Sequence, residues 1–160
     1  MQLSHSYIPA AALEGQAVPG PNTFVDSGVC KEASIPFGKF VVNVVSDANE
    51  PTFFESPDAT AEITAGRLVG VAIRDESKAF NADGFVQDES MPVLTRGRVW
   101  VRTETAITKG AAVFVRCAAA GAEVLGSVRH DADGTDAIAL PGAKVVVPGG
   151  AGDLVLIELT

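Results

Sequence analysis

Arg98-Val99-Trp100-Val101-Arg102-Thr103-Glu104 alternates at every position. Val99, Val101 and Thr103 fall on one side of an extended chain; Arg98, Trp100, Arg102 and Glu104 fall on the other. That period of two belongs to a β-strand with one face turned to a core. Working outward, Pro92-Val93-Leu94-Thr95 precedes it across Arg96-Gly97, which reads as a tight hairpin. Residues 40–45, Phe-Val-Val-Asn-Val-Val, are too short and too β-branched for a helix. Residues 68–74 place Val69, Val71 and Ile73 on one face, and residues 112–117 do the same with Val113, Val115 and Cys117. Residues 124–125, 137–140, 144–147 and 154–159 extend the set. Lys109-Gly110, Ala120-Gly121, Asp133-Gly134, Pro141-Gly142 and Pro148-Gly149-Gly150 supply turns between them. Short strands at this spacing predict an all-β fold, a jelly-roll-like sandwich or barrel. Helix signal is confined to residues 58–65 and 75–79, and residues 46–65 read as a long acidic surface loop.

At 160 residues the chain has the size of one domain. Pro9, Pro19 and Pro21 break any helix across the first 22 residues, which predicts an extended arm (1–22) ahead of a single β domain (23–160). Tyr7, Ile8, Leu13 and Val18 are the arm's apolar anchors. Hydrophobic residues make up 47% of the chain and charged residues 20%, which excludes disorder. No apolar run approaches the ~18 residues of a membrane helix. The net charge of −8 argues against nucleic acid and against anionic membranes, both of which recruit Lys and Arg. No Lys or Arg precedes Lys31, so a secretory leader with a basic start is not expected, and the two cysteines read as buried thiols of a protein made in a reducing cytoplasm. A domain of this size buries only about two thirds of its unfolded surface. Part of the aliphatic surplus is therefore expected at interfaces.

Catalytic and metal-binding patterns find little support. The only histidines are His5, in the arm, and His130, in the loop His130-Asp131-Ala132-Asp133-Gly134-Thr135-Asp136. No nucleophile elbow is present. Counting from Asp131, Gly134 is at position four and Gly142 at position twelve, where a calcium loop needs Gly at six and Glu at twelve. No metal and no cofactor is expected, and the loop reads as a solvated hairpin. Asp47, Glu50, Glu55, Asp58 and Glu62 could supply an acid–base pair, but one Trp and one Tyr line a sugar cleft poorly. Gly66-Arg67-Leu68-Val69-Gly70 lacks the phosphate-loop frame, and its glycines read as relief of crowding at a strand. Trp100 between Arg98 and Arg102 has the composition of an interface anchor if that face is exposed. The other reading is a strand buried on both faces, and the arginines favour exposure. The candidate interface residues are Tyr7, Ile8, Leu13, Arg98, Trp100 and Arg102; no catalytic residue is assigned.

Several segments, taken in order, carry a resemblance. They are Glu14-Gly15-Gln16-Ala17, Ile35-Pro36-Phe37-Gly38-Lys39-Phe40-Val41-Val42, Leu68-Val69-Gly70-Val71-Ala72-Ile73-Arg74-Asp75, Met91-Pro92-Val93-Leu94-Thr95-Arg96-Gly97-Arg98-Val99-Trp100-Val101, Pro141-Gly142-Ala143-Lys144 and Asp153-Leu154-Val155-Leu156-Ile157-Glu158-Leu159. In this order and spacing the chain resembles the structural cement (head decoration) proteins of tailed bacteriophages. Residues 46–65 and the His130 loop have no counterpart. The resemblance implies a non-enzymatic, β-rich clamp made in the bacterial host's cytoplasm. Such a clamp binds the outer surface of the phage head, ties neighbouring major capsid protein subunits together, and acts as a homo-oligomer, a dimer or trimer, without cofactor. The competing readings are a small β-fold enzyme or carbohydrate-binding module using the acidic loop 47–62, and another virion component such as a tail or connector protein.

Overall fold

The computed structural model describes residues 12–44, 53–78, 82–119 and 121–160. Strand signal dominates, and the backbone follows it. The strands are β1 (Ala17–Val18), β2 (Phe24–Cys30), β3 (Ser34–Pro36), β4 (Phe40–Asn43), β5 (Phe53–Glu55), β6 (Leu68–Ala72), β7 (Gly84–Val86), β8 (Ser90–Arg102), β9 (Ala112–Arg116), β10 (Val128–Arg129), β11 (Ala137–Val147) and β12 (Leu154–Leu159). One short helix, α1 (Thr60–Thr64), falls inside the span with helix signal. The all-β expectation holds.

The architecture turns on β8. Its first half pairs with β2 and with β6, and its second half with β1 and β12. From β2 the pairing passes to β5, β4 and β6 and returns to β8. From β12 it passes to β11, β9 and β10, and a bridge between Val128 and Thr103 brings it back to the end of β8. β8 therefore belongs to two closed circuits. Closure satisfies backbone donors and acceptors that an open sheet would leave at its edges. Strands β3 and β7 form a separate two-stranded sheet.

Adjacent residues of β4, β6 and β8 enter two different cores. Phe40, Val71 and Leu94 join Val99, Val101, Val113, Val115, Val155 and Ile157 in one cluster. Val41, Ala72 and Val93 join Cys30, Phe54 and Met91 in the other. Ile35, Phe37 and Phe85 close the second cluster, with Phe37 and Phe85 packed edge to face at 5.1 Å. The layer formed by β4, β6 and β8 is thus apolar on both sides, which is why its sequences read as continuous hydrophobic runs.

Several expectations are corrected. Arg96-Gly97 is not a hairpin, because β8 runs through it for 13 residues. Strict alternation would put Val99 with Val93, yet Val99 shares a core with Leu94. A bulge opposite Phe24 and Val25, with Gly97 at φ +124°, resets the phase. The glycine here bends a strand instead of reversing it. Likewise Pro141-Gly142 lies inside β11, where the register against β9 shifts between Leu140 and Lys144. Residues 124–125 are not a strand; the pairing there is made by Val128–Arg129. Val69 leaves the face of Val71 and Ile73 and packs on the other core, because β6 carries a register shift against β4. Gly70 is where crowding is relieved: a Cβ there would lie 1.9 Å from the Leu94 carbonyl oxygen. Residues 75–78 form a turn, with the Ser77 N–H donating to Asp75 Oδ1 at 2.8 Å, so the second helix signal is not realised there.

Candidate interaction surface

The described part of the arm is held by its own chain. The Gly15 N–H donates to the Trp100 carbonyl at 2.8 Å, and the Trp100 N–H donates to the Gln16 carbonyl at 2.9 Å. The Arg74 N–H donates to the Gly15 carbonyl at 2.8 Å. Glu14 adds ion pairs to Lys39 at 2.8 Å and to Arg102 at 3.3 Å. Residues 13–18 are thereby strapped across β8, and Leu13 remains 43% exposed at the start of the strap. Tyr7 and Ile8 lie outside the described residues, as does His5.

Arg98 and Arg102 are exposed, as alternation requires, and both are engaged by partners. Arg98 pairs with Glu158 at 3.6 Å, and Arg102 also donates to the Gly152 carbonyl. The exposure expected of Trp100 is not found: only 9% of its surface is accessible. Its cross-strand neighbour Leu156 is buried to the same degree. Residues 15–18 on one edge and β12 on the other flank Trp100 within the sheet.

Beside this face an open groove of about 640 Å³ is lined by Lys39, Arg102, Glu104, Arg116, Glu123 and Arg129, among others. Arg116 is 1% exposed. It lies at the end of β9, where the core-facing positions are Val113 and Val115. A guanidinium taken out of water needs its donors satisfied. Arg116 Nε donates to both Glu104 carboxylate oxygens at 2.9 Å, Nη1 to the Ala118 carbonyl, and Nη2 to Asp133. Glu123 lies 3.0 Å from Nη2. The buried Arg129 binds Asp131, Asp133 and Glu104. Burial works against the Arg116 charge, but the bonds to Asp133 and Glu104 outweigh it and hold its pKa above the ordinary value. Hydrogen bonding to Arg116 first, then Arg129, keeps the Asp133 carboxyl below its usual range. The loop expected to be solvated is therefore pinned to two buried arginines. Sequence reasoning passed over both, although four acidic residues within 123–136, where Arg129 is the one Lys or Arg, were the available sign.

The acidic loop is similarly occupied. Arg67 pairs with Glu55 at 2.9 Å and Glu62 at 2.7 Å, and Glu62 accepts the Asp58 N–H at 3.0 Å. Burial raises the Glu55 pKa. These carboxylates hold a helix and two strands together; they do not face each other across a cleft. Asp47 and Glu50 lie outside the described residues. Cys117 is buried, and burial pushes its thiol up to about 11, which suits a packing residue and not a nucleophile.

A family model described as structural cement protein (E217 gp24/Pam3 gp6) matches residues 1–160. The chain belongs to the structural cement protein family. It is thus a bacteriophage structural protein associated with the capsid. Among solved structures, a chain from the capsid of Myoviridae Phage XM1 superposes with a TM-score of 0.73 at 15% identity, covering 99% of this chain and 98% of that one. At that identity the likeness shows a shared fold. The head fiber gp8.5 N base of bacteriophage phi29 aligns more loosely, with a TM-score of 0.45, 10% identity, and coverage of 86% and 94%. No curated protein sequence matches.

Proposed function

We propose that this chain is a non-enzymatic decoration protein that binds the outer surface of the phage head, bridges neighbouring major capsid protein subunits, and works as a homo-oligomer, a dimer or trimer, in the assembled virion. The observation that carries the reading is the cement-family match running from residue 1 to residue 160. The residues offered for contact are Tyr7, Ile8 and Leu13 on the arm and Arg98 and Arg102 on β8, with Trp100 supporting them from within. The physical logic is multivalency. Each copy adds a modest contact area, and many copies tied into one shell multiply the work needed to open it.

The test is to mix purified protein with heads that lack it and to sediment them. Saturable binding with a fixed stoichiometry per shell, together with a higher rupture temperature of the decorated heads, is the expected result. Failure to co-sediment, or heads that rupture no later when decorated, overturns the reading. A cryo-electron map of decorated heads places the copies, and density at the tail, connector or inner surface would refute an outer-shell clamp.

A further inference from the structure

The exposed aromatic beside an arginine that β8 was expected to carry at Trp100 exists elsewhere. Phe24, in β2, is 55% exposed, and its neighbour Val25 is 46% exposed. Phe24 lies directly across from Arg96 of β8. Arg96 is exposed and forms no ion pair with any described residue. Next to this pair, Pro19, Pro21, Gly97, Arg98 and Glu158 contribute to a hollow of about 330 Å³. The Thr23 hydroxyl reaches the Val18 carbonyl at 3.5 Å, and the two prolines fix φ, so the turn leading into Phe24 is stiff. An aromatic side chain on a stiff support loses little entropy on burial, and aromatic and arginine side chains are enriched at interfaces.

Charge selects the partner. Arg96, Arg98 and Lys144 are exposed here, against Asp26 and Glu158, so the patch has a cationic excess in a chain of net charge −8. Glu158 is already shared, at 3.6 Å from Arg98 and 3.5 Å from Lys144. A second copy docked on the same patch across a two-fold axis would set these cations against one another, which disfavours self-pairing. We propose that Phe24, Val25 and Arg96 form the contact by which this chain grips its capsid partner, and that the partner presents an apolar pocket for Phe24 edged by Asp or Glu side chains. This rests on the capsid-binding function proposed above.

The test uses full-length protein and heads that lack it. Wild type, Phe24→Ser, Arg96→Glu and the control Val86→Ser, an exposed valine on β7, are titrated onto heads at low and at moderate salt. The expected result is a loss of affinity of about tenfold or more for Phe24→Ser and Arg96→Glu, no change for Val86→Ser, and a salt dependence that Arg96→Glu abolishes or reverses. If either variant fails to fold, Phe24→Tyr and Arg96→Gln take its place, with smaller losses expected. Wild type that binds while both variants bind equally well overturns this contact and leaves the function standing. Unchanged capsid binding with a lost oligomer in Phe24→Ser overturns it in favour of a second copy as occupant. Wild type that fails to bind heads at all overturns the function and this contact with it.

Discussion

Arg98 and Arg102 stand on the outer side of β8 with water around them and one or two partners each. Arg116 and Arg129, a few strands away, are buried and share a cage of Glu104, Glu123, Asp131 and Asp133. The four side chains are chemically identical, yet their environments assign them opposite work. An exposed pair gains little, because water screens it and two flexible chains lose freedom to form it. A buried guanidinium holds several carboxylates in place, and its removal leaves them crowded without a counter-charge. The outer arginines stay exposed while bonded within the chain; the inner ones fix the loops that shape the groove.

The largest break in this contrast comes from Arg116→Ala, which strands Glu104, Glu123 and Asp133 beside one another. It should cost about 3–5 kcal/mol in denaturant unfolding. A cost near that of a surface substitution would show that the cage does not act as a unit. Trp100→Ala should follow, with about 3 kcal/mol lost from the isolated protein as a cavity opens in the β8–β12 face. Loss of association with unchanged stability would instead return Trp100 to the role of an exposed anchor.

Acid should sharpen the contrast. The Asp133 pKa is held below its ordinary value, so its stabilising contribution is present above the usual carboxylate pKa and fades as pH falls through the lowered one. Asp133→Asn, a residue that tolerates the positive φ at this position, should therefore be less stable than wild type at pH 7. The difference should narrow as pH falls below the ordinary aspartate pKa and close only below the lowered one, as read from urea midpoints; a constant difference would reject the linkage. The smallest effect belongs to Arg102→Ala, expected below about 1 kcal/mol in the same measurement, because its ion pair is exposed.

The all-β class was legible because Val99, Val101, Val113, Val115 and the run 154–159 announce themselves by period. The positions of the bends were not. Gly97 and Pro141-Gly142 carry turn chemistry, yet both lie within long strands, since a local preference for a bend does not say whether the chain reverses or only bulges. Exposure was the harder matter. Alternation correctly placed Trp100 on the face of Arg98 and Arg102, but how much of that face is covered depends on residues distant in sequence, and Trp100 is buried. Phe24 was passed over because residues 24–30 show no clean alternation, and its exposure emerges only in the folded chain.

By itself, the amino-acid order determined many of the strand-forming segments, the apolar surplus and the acidic balance, because these follow from side-chain chemistry and period. The tertiary structure alone decided which arginines are buried, which aromatic faces solvent, and that β8 serves two cores at once. Those outcomes depend on contacts between segments far apart along the chain, which no local pattern encodes.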